Sequence, residues 1–421
     1  MPFRIALSGL NAASSDLKVT GNNIANASTT GFKGSRAEFA DVFAVSLGGV
    51  SSTATGGGVR LSRVNQEFSQ GNIEFTSNNL DLAINGEGFF VLDDNGSRVY
   101  TRAGGFSIDR NGFVVNNANQ NLQVFAPVAG GAGFNTGSLG NLQISLTAGA
   151  PQATANVDFS ANLDASDPSA GTPATFDPNN PTTYNFATSY VMYDSLGAQH
   201  TATQYFLKDG TATNTWYTWL YADDGTAMQN LTQGGGNAFS TLVFASDGSI
   251  DTAASTGVNG LVSYDALPMT NGSTALAPTV DYSSLTQFGS PYGVNSLSQD
   301  GFAAGRITGL DIGETGVVSA RFTNGQSIPL GEIALANFPN VQGLRQLGDT
   351  SWSETFASGD VLIGEAGTSS FGLLQSGALE ASNVDIAEQL VNLITAQRNF
   401  QANSQVISTA DAITQTIINI R

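Results

Sequence analysis

The sequence contains no cysteine and a single histidine. Without cysteine there are no disulfides, no thiolate nucleophile and no cysteine-ligated zinc. His200 alone gives neither a catalytic triad nor a histidine metal site its partner. It sits in DSLGAQHTATQ and reads as a turn or surface residue of a hairpin. Lysine is scarce, being confined to Lys18, Lys33 and Lys208. The 15 basic residues face 34 acidic ones, for a net charge of −19. Such a surface repels phosphate, which argues against nucleic-acid binding and against anionic membranes. No run approaches the eighteen or so apolar residues of a membrane span, so no membrane insertion is expected. The start, MPFRIALSGLNAASS, lacks a secretory signal's core, because Ser8, Gly9 and Asn11 interrupt its apolar run. Any export is expected to use a route without a cleaved signal of that kind. The glycine runs 56–58 and 234–236 lack the GK[ST] ending of a phosphate loop, and GEG at 86–88 opens into FFVL rather than a helix. The acidic pairs Asp93-Asp94 and Asp223-Asp224 lack the alternating ligands of a calcium loop and read as turns. No catalytic, metal or cofactor residue is expected, and the chain does not read as an enzyme.

What the chain has is length, glycine and periodicity. Its 421 residues suffice for two or three domains. Charged residues are only 12% of it, while glycine numbers 49. That balance suits short strands joined by many turns. Near the N-terminus, Phe3, Leu7, Leu10, Ser14, Leu17, Gly21 and Ile24 alternate by four and three, the spacing of a coiled-coil seam. Near the C-terminus, Leu379, Asn383, Ile386, Leu390, Leu393, Gln397 and Phe400 repeat it. Val406, Ala410, Ile413, Ile417 and Ile420 continue it after a one-residue phase shift near Asn403. The pattern predicts a C-terminal helix over 379–420, roughly 60 Å long. One helix cannot bury its own stripe, so the two ends are expected to pack on each other and on other subunits.

Between the ends the signals are those of strands. Residues 28–70 read as connecting chain, with SSTATGGGV (51–59) as a linker. Leu80, Leu82 and Ile84 alternate, and the run GFFVL follows. Asn-Gly turns are expected in DDNGS and at Arg110-Asn111-Gly112. The stretch 149–282 changes composition and contains TSYVMYD, TATQYFL and TWYTWLY. The last of these suits core packing better than sugar stacking. IPLGEIALANF (328–338) is the clearest later strand. The expected fold is mixed α and β, mainly β, and nested. Residues 1–27 and 379–421 form a terminal helical coiled coil. Residues 28–70 and 359–378 connect it to an inner β domain, 71–148 with 283–358. The segment 149–282 is an inserted outer β domain.

Both ends then carry a resemblance. SGLNAASSDLKVTGNNIANASTTGFKGSRAEFADVF (8–43) resembles the N-terminal signature of bacterial flagellar rod and hook proteins. Its most specific part includes Asn22, Asn23, Ile24, Ala25, Asn26, Gly31, Phe32 and Lys33. Residues 379–421 are similar to the matching C-terminal signature, and 68–92 with 100–116 to a third. Within the family, the 149–282 insertion resembles the hook branch rather than the distal rod branch. The resemblance implies a self-assembling hollow helical tube with the terminal helices innermost. It would bend as a universal joint that passes torque from rod to filament. The implied location is the hook of the flagellum, outside the cell. The implied partners are other copies of the chain, the distal rod protein, the hook cap, the hook–filament junction protein and the flagellar type III export apparatus. A secreted β-rich adhesin or glycan-binding protein is the alternative from another class.

Overall fold

A computed structural model describes residues 2–42, 56–128, 133–144, 149–234, 236–368 and 370–419. Residues 51–55 of the expected linker and Ile420 lie outside the described residues, as does the side chain of Ile417. The chain is mainly β, with one helix at each end: α1 (Pro2–Ala25) and α2 (Ile386–Asn419). It divides into two units. The first comprises 1–146, 309–320 and 327–421, and the second comprises 147–308 and 321–326.

The β part of the first unit is built on hairpins that local chemistry specifies. Phe89–Asp94 and Ser97–Thr101 pair antiparallel through a two-residue loop. Its residues Asn95 and Gly96 have φ of 52° and 92°, the left-handed pair that matches strand twist. Ser107–Ile108 pairs with Val114–Val115 across Asn111-Gly112, as the sequence predicts. The strand Ser327–Asn337 crosses this sheet and buries Ile333 to Ala336 on both faces. Phe89, Tyr100, Phe125, Phe338 and Trp352 complete the core. Tyr100 and Phe338 meet edge to face at 4.8 Å.

The segments expected to be connectors are largely strands. Ser35–Asp41 and Val59–Gln66 form a two-stranded hairpin. Leu373–Ser376 pairs with Leu82–Asn85, and Ala378–Glu380 pairs with Ile73–Phe75. Leu379 therefore lies on a strand and not on the C-terminal helix seam. The helix begins seven residues later because Asp385 caps it, its carboxylate accepting from the amides of Ala387 at 2.7 Å and Glu388 at 3.3 Å.

The second unit is two five-stranded sheets with one core. Asn156–Asp164 is the middle strand of the first sheet. It pairs parallel with Thr279–Asp281 and Thr286–Phe288, and antiparallel with Gly293–Gln299. The insertion therefore runs to about residue 308 rather than ending at 282, since 293–299 completes its sheet. The second sheet carries Phe186–Tyr193, Gln199–Lys208 and Thr215–Asp223. In TWYTWLY, Trp216 and Leu220 enter the shared core. Trp219 is buried too, with Phe176 stacked on its ring at 4.0 Å and 10°. The face a sugar would stack on is filled by the chain itself.

Every carboxylate side chain between 147 and 308 is an aspartate. Nine of them, from Asp164 to Asp281, accept a hydrogen bond from the backbone N–H two residues on. The shorter side chain reaches that amide, so the acid surplus here is turn chemistry. The hydroxyl of Tyr217 holds Asp209 down at about 2, and that of Thr226 does the same for Asp224. His200 is buried on a strand rather than at the surface. Its Nε2 lies 3.2 Å from Asp194 Oδ2 and its Nδ1 lies 2.9 Å from the Asp223 carbonyl. Burial works against the Asp194 charge. Hydrogen bonds from Asn271, Ala198, His200 and Leu196 outweigh it and keep that carboxyl well below the usual range.

Glu332 in the first unit runs the other way. Burial, then the nearby Glu365 charge, push its carboxyl up to about 7. A carboxyl raised on folding contributes stability below its unfolded value, and that contribution is lost as pH rises through 7. Glu332→Gln should therefore melt with the parent protein near pH 4 and above it at pH 8. Calorimetry that finds no difference at pH 8 would count against this assignment.

Candidate assembly surface

The two helices run antiparallel, with Asn23 beside Gln389 and Gly9 beside Asn403. Neither has an interior proline, and α1 tolerates Gly9 and Gly21 only because it is packed. The side of α1 that faces α2 is made of small and polar residues: Ala6, Ala13, Thr20 and Asn23 are buried. A Cβ on Gly9 would meet the Asn403 side chain at 2.4 Å, so this helix crossing is close. Opposite them on α2, Ala396 and Ala410 are buried, with Leu393, Phe400 and Ile407 half-buried.

The large apolar residues of the predicted seams divide accordingly. Leu10, Leu17, Ile24, Leu393 and Phe400 are half-buried. Phe3, Leu7, Ile386, Leu390, Val406 and Ile413 stay exposed, Leu7 at 52% and Ile413 at 56%. Ile5, Val391 and Ile394 join them, and the four-and-three frame had missed all three. Phe3, Ala402, Val406, Ala410 and Ile413 line an apolar groove where the helices meet. An antiparallel pair gives each helix one covered stripe, and on α1 the covered stripe is the small-residue one. Among the described residues, Phe3, Leu7, Ile386, Leu390, Val406 and Ile413 are the seam positions left exposed beside it.

At the other end of the helix pair the motif residues form a lock. Asn26 donates to the Asn22 carbonyl at 3.0 Å, closing α1 just after Ala25, and accepts from Thr29. The Asn23 amide donates to the Ser35 carbonyl at 2.7 Å and to Gln389 Oε1 at 3.1 Å. Asn383 accepts from the Gly34 amide and donates to the Glu67 carbonyl, at 2.7 and 2.6 Å. Gly31 has φ of 67°, and a Cβ there would meet the Ala103 nitrogen at 2.5 Å. Phe32 is buried beside it in sequence. The Lys33 ammonium, wholly buried, reaches Glu380 Oε1 at 2.6 Å and the Ser69 carbonyl at 2.7 Å. Arg102 reaches the other Glu380 oxygen at 3.3 Å. Burial pulls the Lys33 and Arg102 pKa values down, and the Glu380 charge opposes it. The spacing of the motif showed nothing of this lock, because the partner of Lys33 is 347 residues away.

Among the described residues no cluster of three or more metal-ligating side chains occurs, and no helix is long and apolar enough to cross a membrane. Packed ends that close a β-rich chain, with an apolar stripe left uncovered, define an assembly subunit. Four family profiles match in order. They are Flagella basal body rod protein (3–33), Flagellar hook protein FlgE/F/G D1 domain (83–161), Flagellar basal body protein FlaE D2 domain (162–302) and Flagellar basal body rod FlgEFG protein C-terminal (375–420). The chain is 39% identical over 434 residues to the flagellar hook protein FlgE of Escherichia coli K12, covering 100% of both. It is 36% identical over 426 residues to that of Salmonella typhimurium LT2, again covering 100% of both. The crystal structure of Helicobacter pylori flagellar hook protein FlgE2 shares the fold, with a TM-score of 0.55 and 15% identity over 73% of this chain and 100% of that one. These matches place the chain among the axial proteins of the bacterial flagellum. It belongs to the flagellar hook protein family and is a structural subunit of the hook.

Removing one member of a buried ion pair strands the other charge and costs about 3–5 kcal/mol. Glu380→Gln leaves both Lys33 and Arg102 without their carboxylate. Urea unfolding of the first unit should show a loss of that size, and a loss below about 1 kcal/mol would sink the lock as described.

Proposed function

We propose that copies of this chain polymerise into a hollow, bendable tube through the uncovered stripes of α1 and α2. The observation that carries this is Phe3, Leu7, Ile386, Leu390, Val406 and Ile413 exposed on helices already packed along another face. Burying one such side chain contributes about 1.5–3 kcal/mol, so a handful per subunit offsets the ordering cost of assembly. In this reading the terminal helices form the inner layer and the β units the outer ones. The second unit, with its Asp, Ser, Thr and Gly turns, makes wet polar contacts that re-form as the tube bends. The tube passes torque from rod to filament as a universal joint. It performs no catalysis and needs no cofactor. Its partners are its own copies, the distal rod protein, the hook cap and the hook–filament junction protein. The type III apparatus exports it without a cleaved secretory signal.

Leu390→Asp tests the stripe. The side chain is exposed, so the monomer should melt as the parent does. Light scattering and electron microscopy should find no tubes at concentrations where the parent assembles. Normal tubes from Leu390→Asp would falsify this use of the stripe.

A further inference from the structure

Phe356 is the most exposed large apolar side chain described, at 106% of its reference surface. Such a ring normally folds back onto the protein, and here it stands clear of it. The turn that carries it, between Ser351–Ser353 and Leu362–Glu365, is tied on both sides of the ring. Thr355 Oγ1 donates to the Gly343 carbonyl at 2.5 Å, and Asn340 Nδ2 donates to the Ala357 carbonyl at 2.9 Å. The buried Ser358 hydroxyl donates back to the Thr355 carbonyl at 2.7 Å and accepts from the Thr355 amide at 2.9 Å. A Cβ on Gly343 would meet the Ala357 carbonyl carbon at 2.4 Å, so the backbone at 343 lies directly on the backbone at 357. A rigid turn that presents one aromatic ring to solvent has the form of a preorganised anchor, with little order left to impose on binding.

We propose that Phe356 is an interface anchor that inserts into a second copy of this chain. The inference rests on the tube reading above. In a tube of many copies, rod, cap and junction proteins touch only the copies at the ends. A ring shown by every copy is covered on every copy only when the neighbour is another copy. Left uncovered along the tube it would be a row of sticky patches. The contact is head to tail, since the turn of one copy meets a different surface of the next, and such contacts propagate helically.

The absence of cysteine makes the test direct. A Phe356→Cys chain carries one thiol, and it is mixed as a minor fraction into unaltered chain. Maleimide should label the thiol at least tenfold more slowly in pelleted polymer than in monomer. Phe356→Ser should raise the critical concentration for assembly by about tenfold or more, while Phe356→Leu stays close to the parent. Both variants should melt as the parent monomer does. Equal labelling in monomer and polymer, or an unchanged critical concentration for Phe356→Ser, overturns the anchor and leaves the tube standing. If the unaltered chain forms no polymer, the tube reading falls and the anchor falls with it.

Discussion

Glu380 sits where the chain's two ends meet, and each of its acceptors is spoken for. One carboxylate oxygen takes Lys33 and the Gly71 amide, the other takes Arg102, and its carbonyl takes the Gly31 amide. Three segments far apart in sequence, at 31–33, 71 and 102, are thereby fixed to one residue. Such a cluster contributes little net stability, because desolvation offsets attraction, but it makes mismatched arrangements costly. The direction in which α1 and α2 leave the β part follows from it. Asn23, Gly34 and Asn383 extend the same junction by hydrogen bonds to the base of the 35–66 hairpin. The Trp352 indole, donating to Gln66 at 2.7 Å, ties that hairpin to the aromatic core.

From that junction the helices are committed to a close antiparallel pair. Alanines and Gly9 at the crossing let the backbones approach, with Leu393 and Phe400 half-buried beside them and Leu7, Leu390 and Ile413 left exposed. A chain designed to be finished as a monomer would put its leucines in the crossing. Here Leu10, Leu17 and Leu393 are half-buried, and Leu7 and Leu390 stay exposed.

Much of this was legible in the sequence, for identifiable reasons. Asn95-Gly96 fixes a turn by backbone conformation alone. The strand at 328–338 carries the apolar run Ile333 to Ala336, which suits a buried sheet position. The terminal periodicity gave both helices. It failed at Leu379 because the four-and-three spacing happens to run on past the true helix start. The readable signal was Asp385 with Glu388 three residues on, a capping pattern. Which stripe faces the partner helix was hidden, since alanine and glycine contribute almost no hydrophobic contrast. Lys33 with Glu380, and 293–299 with 156–164, were hidden because pairing over long separations leaves no local trace. His200 looked like a turn residue because its neighbours do, while its burial depends on Asp194 and Asp223 being folded around it.

The strand Asn156–Asp164 has a consequence in time. All three of its sheet partners lie more than a hundred residues downstream. A chain that emerges N-terminus first presents this strand long before anything can pair with it. The hairpins from 186 to 231 need only local closure and can form meanwhile. The strand must wait, bare on both edges, until 279–299 arrives. Its burial alternates, with Val157, Phe159, Ala161 and Leu163 inward and Asp158, Ser160, Asn162 and Asp164 outward. Those polar and charged positions keep a waiting strand from pairing with its counterpart on the next chain. Closure of this sheet joins segments more than a hundred residues apart, the class of contact that is slowest to form, and its outward aspartates guard the strand over that interval.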